Sequence, residues 1–190
     1  MDFVQRGFSL KNHLYNYKFT ICLFYVKDKI KKQDGSEYEL EWIEDTNFDN
    51  LPFIRQVYVF LFSKEGKLVI VNPASTWRLP GGKPDSANEK PEETLIRETL
   101  EEADITVKNI NPLGYIKATK LNKDKKTEFL LRYVAEIDKI NPQTQDPAIG
   151  VVNERLFIDP KDFLKYCNWR KFGNHIKERA IKKWSETKRS

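Results

Sequence analysis

Residues 91–103 carry the clearest periodic signal in the chain. Ile96, Thr99, Leu100 and Ala103 recur at helical spacing, and Glu98, Glu101 and Glu102 share the opposite side. Pro91 suits a first helical position, because its fixed φ matches a helix start and its missing N–H is not needed there. The pattern predicts one amphipathic helix over 91–103, with the apolar stripe buried and the glutamates on the exposed face. Elsewhere the period is two. Residues 17–26 are rich in aromatic and β-branched side chains and predict a strand. Residues 27–35 read as a charged turn closed by Asp34-Gly35; Tyr38, Leu40 and Trp42 then alternate with glutamates in a partner strand. A second hairpin is predicted over 55–63 and 67–72, turning at Lys64-Glu65-Gly66. Strands follow at 105–118 and 129–137 around a charged turn at 121–126. Residues 139–153 hold Pro142, Pro147 and Gly150 and read as a loop. A short strand at 155–158 and a short helix capped by Asp159 come next. The last helix spans 172–184, with Ile176, Ala180 and Trp184 on one stripe.

Strands and helices in this order predict an α/β (α+β) architecture: a mixed sheet flanked by helices. The chain of 190 residues is long enough for one proper core. Residues 51–190 are expected to form the main domain. Residues 1–50 form a β-hairpin extension that widens the sheet or makes a homodimer contact through its open edge. An apolar content of 39% with 13% aromatics excludes a disordered chain. Cys22 and Cys167 stand far apart and fit small core residues in a reducing compartment, not a disulfide framework. The first residues carry Asp2, Arg6, Lys11 and Lys18 without an apolar run, and the apolar segment 21–26 is too short to cross a bilayer. The expectation is a cytoplasmic protein with no membrane partner.

The formal charge is +5, with lysines and arginines gathered at 27–32, 117–126 and 170–189. Positive charge attracts phosphates of every kind, although a basic run is most often a solvated surface. The acidic groups crowd the 91–103 helix instead. Three carboxylates one turn apart repel one another, and a hard divalent ion with oxygen ligands relieves that repulsion. His13 and His175 lie in unlike contexts, and neither cysteine has a partner pattern that marks a nucleophile.

The run 81–105 sharpens this reading. It opens with Gly81-Gly82, and Glu89 is followed, after seven residues, by Arg97-Glu98, Glu101-Glu102 and Ile105. This arrangement resembles the Nudix box. It departs from that pattern in three places: six residues separate Gly82 from Glu89 where the box has five, Thr99 stands at an apolar position, and Asp104 replaces the closing glycine. An extra loop residue costs little, and Asp tolerates the left-handed turn a helix end needs.

The resemblance implies an α/β/α sandwich and a divalent-metal-dependent pyrophosphohydrolase acting on acid anhydrides, with Mg²⁺ as cofactor and Mn²⁺ as a substitute. It implies that Glu98, Glu101, Glu102 and the Gly81 carbonyl hold metal, and that Arg97 pairs with neighbouring acids and orients them. Glu98, Glu101 and Arg97 then form the catalytic group, and Glu89 fixes the loop at the edge of the site. Arg78 and Lys83 flank the glycine pair and, with Gly82 and Glu89, are expected to contact substrate, Lys83 being the better phosphate contact because it follows Gly82 directly. The general base is a glutamate of the box or an acid of a later loop, Asp146 or Glu154. Trp77, Tyr58 and Phe60 could stack on a nucleobase, although strand aromatics are more often core. The leading function is cleavage of the diphosphate linkage in a nucleoside diphosphate joined to another moiety. Alternatives are an RNA 5′-end pyrophosphohydrolase, favoured by the basic C-terminal run, and a non-catalytic nucleotide-binding module or sensor on the same fold.

Overall fold

The computed structural model describes residues 26–32, 34–122 and 125–189. Its strands are β1 (Lys27–Lys31), β2 (Glu37–Ile43), β3 (Ile54–Phe62), β4 (Leu68–Asn72), β5 (Gly81–Gly82), β6 (Ile105–Lys120), β7 (Thr127–Ile140) and β8 (Glu154–Ile158). The helices are α1 (Pro91–Ala103), α2 (Phe163–Tyr166) and α3 (Arg170–Thr187). One mixed sheet runs in the order β1-β2-β6-β7-β3-β4-β8, with β5 paired to β3. The central β3–β7 pair is parallel and its neighbours are antiparallel.

Alternation along β3 and β7 sends successive side chains to opposite faces, and each face has its own core. Val57, Val59, Leu61, Leu131, Tyr133 and Ala135 pack with Leu95 and Ala103 of α1. Phe60, Phe62, Val134 and Ile116 pack with Phe163 of α2 and Phe172, Ile176 and Ala180 of α3. This is the expected sandwich. The Trp184 ring stacks on Phe62 at 5.0 Å between centroids and fixes the far end of α3. Phe60 is wholly buried against Phe163 and Trp169, so it is core and not a stacking platform.

The N-terminal hairpin differs from expectation. The strand over 17–26 lies outside the described residues apart from Val26, and the segment read as a charged turn is β1 itself. Cross-strand charge pairs make a lysine-rich strand tenable: Lys27 lies 3.4 Å from Glu39 and Lys31 lies 3.5 Å from Glu37. The turn is tighter than predicted, with Gly35 N–H donating to Lys32 O and Ser36 bonded to the Asp34 carboxylate. β2 then pairs with β6, and Trp42 is buried in the main core, so the hairpin widens the sheet. No helix among the described residues is long and apolar enough to cross a membrane.

Candidate active site

Helix α1 begins at Pro91, and the Glu93 carboxylate accepts from the Lys90 backbone N–H at 3.0 Å. It ends with Asp104 in the left-handed conformation, φ 51° and ψ 42°. The bounds are those predicted, but the helix is turned. Leu95, Thr99 and Ala103 are buried, whereas Ile96 and Leu100 are 47% and 45% exposed. The acidic face is correspondingly drawn inward, and Glu102 is only 4% exposed. A buried carboxylate needs donors, and β5 supplies one. Gly81 N–H donates to Glu102 Oε2 at 3.0 Å, and Arg78 pairs with the other oxygen. That tie, with a residue 21 positions upstream, sets the helix rotation that the local pattern missed.

The glycine pair is required by close approach. Gly81 has φ +138°, and a Cβ there would lie 2.1 Å from Val57 O. A Cβ on Gly82 would lie 2.1 Å from Glu98 Oε1, so the Glu98 carboxylate rests directly on this backbone. Arg97 gathers the remaining acids. Its Nη1 lies 3.1 Å from both Glu98 and Glu101, and its Nε donates to Glu89 Oε1 at 2.8 Å. Its Nη2 donates to Lys83 O at 2.9 Å, which ties the loop before α1 to the helix.

A cleft of about 540 Å³ opens over these groups, lined by Gln56, Tyr58, Arg78, Gly82, Lys83, Glu98, Glu101, Glu102, Asp146 and Ile149. Of the two later acids, Asp146 faces this cleft. It is buried, accepting from Ala148 N–H at 2.8 Å and Asn153 Nδ2 at 2.9 Å. Glu154 is not brought there: it starts β8 and accepts from Asn72 Nδ2 at 2.8 Å. Trp77 packs edge-on to Tyr166 beside the core, so among the three aromatics Tyr58 is the one in the cleft wall. Burial pushes the Cys167 thiol up to about 12, leaving no thiolate near neutral pH. Cys22 and His13 lie outside the described residues.

Sequence reasoning missed Arg132. It is 4% exposed on β7, between the Tyr58 ring at 5.0 Å and the Trp169 ring at 4.7 Å, and donates to Leu131 O. Burial lowers its guanidinium to about 10. A polar residue at an inward position of an apolar strand was the only signal.

Electrostatics sets Glu98 apart from Glu89. Burial, reinforced by the neighbouring Glu102 charge, pushes Glu98 up to about 7. Burial likewise raises Glu102, against the pull of Arg78. The Arg97 hydrogen bonds instead hold Glu89 down at about 2. Two crowded carboxylates that favour a proton fit a hard cation, because the cation relieves the same unfavourable charge. Among the described residues no three acids converge as a ready ligand set; Arg97 pairs with Glu98 and Glu101, and Arg78 pairs with Glu102.

Comparison with known proteins agrees with this geometry. The NUDIX domain model matches residues 52–179. The pyrophosphohydrolase BsRppH of Bacillus subtilis has a similar structure, with a TM-score of 0.62 and 18% identity over 82% of this chain and 97% of that one. A NUDIX hydrolase from Nitrosomonas europaea is also similar, with a TM-score of 0.52 and 13% identity over 66% of this chain and 87% of that one. No curated protein sequence matches the chain. With the family model covering two thirds of its length and its acids gathered beside the glycine pair, the chain belongs to the Nudix family of pyrophosphohydrolases.

Proposed function

We propose that this protein hydrolyses the diphosphate linkage of a nucleoside diphosphate joined to a second moiety, with Mg²⁺ or Mn²⁺. The observation that carries this reading is the pair Glu98 and Glu102, one helical turn apart, Glu102 buried and Glu98 partly so, both raised by desolvation despite their arginine partners and set against Gly81-Gly82. Glu98, Glu101, Glu102 and the Gly81 carbonyl would hold the ion, which would neutralise phosphate charge and acidify water. Arg97 orients Glu98 and Glu101 through its Nη1, and Arg78 with Gly81 N–H orients Glu102. Lys83, exposed at the cleft, is positioned to meet a phosphate, and Tyr58 offers a ring to a base. Asp146 is the later-loop acid favoured as proton acceptor, because it lines the cleft while Glu154 is bonded to Asn72. Residues 51–190 would form the hydrolase unit and residues 1–50 its extension.

RNA with a 5′-triphosphate is the second reading, favoured by the basic residues of α3. Part of that charge is already matched: Arg179 lies 2.7 Å from Glu44 and Lys188 lies 3.5 Å from Glu136. The test is a panel of ADP-ribose, NADH, dinucleoside polyphosphates, oxidised nucleoside triphosphates and 5′-triphosphate RNA, each with Mg²⁺ or Mn²⁺. Release of a nucleoside monophosphate from a dinucleotide-type substrate, lost on chelation, is expected. Turnover of RNA alone would transfer the assignment to the second reading.

A further inference from the structure

The residue that ends α1 does more than cap it. A left-handed position is served best by glycine, because any Cβ crowds the following carbonyl. Asp104 holds that conformation at φ 51° and is nearly buried, at 7% exposure. Its Oδ2 accepts from Thr144 N–H at 2.9 Å, and its Oδ1 accepts from the Thr144 hydroxyl at 2.6 Å. Its backbone carbonyl accepts from Asn141 N–H at 2.8 Å. One residue earlier, Ala103 O accepts from Arg155 Nη1, beyond the other end of the same loop. The segment from 141 to 153 is therefore tied at both ends to the C-terminus of α1.

Thr144 stands two residues before Asp146, a separation of at most about 7 Å of chain. Fixing Thr144 thus limits where the Asp146 carboxylate can go. The rest of the loop closes around Asp146 itself: Gly150 N–H donates to its carbonyl at 2.7 Å, and its N–H donates to Val151 O at 2.8 Å. We infer that Asp104 is a positioning residue: its carboxylate, bonded twice to Thr144, locks the 141–153 loop to the end of α1 and so holds Asp146 over the cleft beside Glu102. A mere helix cap would need only the backbone conformation; the loop needs the carboxylate. The statement about catalysis rests on the proposed function, and the statement about the loop does not.

Asp104→Gly separates the two roles, since glycine keeps the left-handed turn and removes only the carboxylate. The full-length variant should melt within a few degrees of wild type. Hydrogen exchange at the Thr144, Ala148 and Gly150 amides should quicken by about tenfold or more, while the Thr99 amide in α1 stays protected. Mn²⁺ affinity or kcat should fall by about 10- to 100-fold, the range for a partner that orients an active group, with KM little changed. Thr144→Val should weaken the same loop amides, and the Asp104→Gly/Thr144→Val double variant should be no worse than Asp104→Gly alone. Asp104→Asn, which keeps one acceptor, should recover part of the loss. Unchanged protection of the loop amides overturns the inference, and so does a freed loop with unaltered Mn²⁺ affinity and kcat. A wild-type protein that turns over nothing in the panel sinks the proposed function instead, and exchange and Mn²⁺ binding then decide the inference.

Discussion

Arg97 and Glu89 meet through two parallel hydrogen bonds, Nε to Oε1 at 2.8 Å and Nη2 to Oε2 at 3.2 Å. The pair closes the loop before α1 over eight residues of chain, and Glu89 also accepts from Asp85 N–H at 2.6 Å. The loop therefore absorbs its extra residue without moving Glu89 away from the helix.

This pair makes acid stability specific. Arg97 lowers Glu89 from 4.5 to about 2 in the folded protein. A depressed folded pKa stabilises fully above about 4.5, and the contribution fades as pH falls towards 2. Glu89→Gln should cost about 2 kcal/mol at neutral pH, in the range for hydrogen bonds to charged groups. The gap between the two proteins should narrow from pH 5 downward in thermal melts. A gap that is constant from pH 7 to pH 3 would show that the ion pair contributes nothing.

Arg132 gives a prediction of the opposite sign. No carboxylate faces it among the described residues; one carbonyl and two aromatic rings are its contacts. Burying an ion costs several kcal/mol, whereas a desolvated cation–π contact returns about 2 kcal/mol. Arg132→Met, of similar reach, should hold or raise the melting temperature. A fall of more than about 8 °C, or ~2–4 kcal/mol for a domain of this size, would show that the rings outweigh the desolvation.

Salt dependence separates the two substrate classes. Ile176 and Ala180 are buried, so α3 is docked on the sheet and its basic residues are spread around the outer surface. A single strand tracked by those residues would lose affinity with a log–log slope of about −0.7 per neutralised phosphate. A shallow slope for a short 5′-triphosphate RNA is expected. Steep loss, abolished when Lys182 and Lys183 become Ala, would favour the RNA reading.

How much of this was legible in the sequence depends on the range of the interaction. The bounds of α1, the β3–β4 hairpin and the two long strands followed from local period and turn residues, which act over a few positions. The rotation of α1 did not, because hydrophobicity pointed to Ile96 and Leu100 while a buried hydrogen bond from Gly81 N–H to Glu102 decided the outcome. β1 was missed because its lysines become acceptable only opposite Glu37 and Glu39. The left-handed turn at Asp104 was readable from its place in the box, but its bonds to Thr144, forty residues on, were not. Asp146 and Glu154 were indistinguishable as charges, and only the path of the loop puts one over the cleft and the other on Asn72.

The most direct test of the central claim is turnover by Glu98→Gln on the best substrate of the panel, with Mg²⁺ present, beside melts of the metal-free proteins. Glu98 is held at about 7 when folded, above its unfolded 4.5, so without metal the wild type gains stability as pH falls from about 7 to 4.5. The Gln variant lacks that gain and should melt at or above wild type at pH 8, showing that it is folded. Its turnover should drop by at least about a hundredfold, or ~2.7 kcal/mol of barrier. A folded Glu98→Gln protein that hydrolyses the substrate at the wild-type rate would contradict the account.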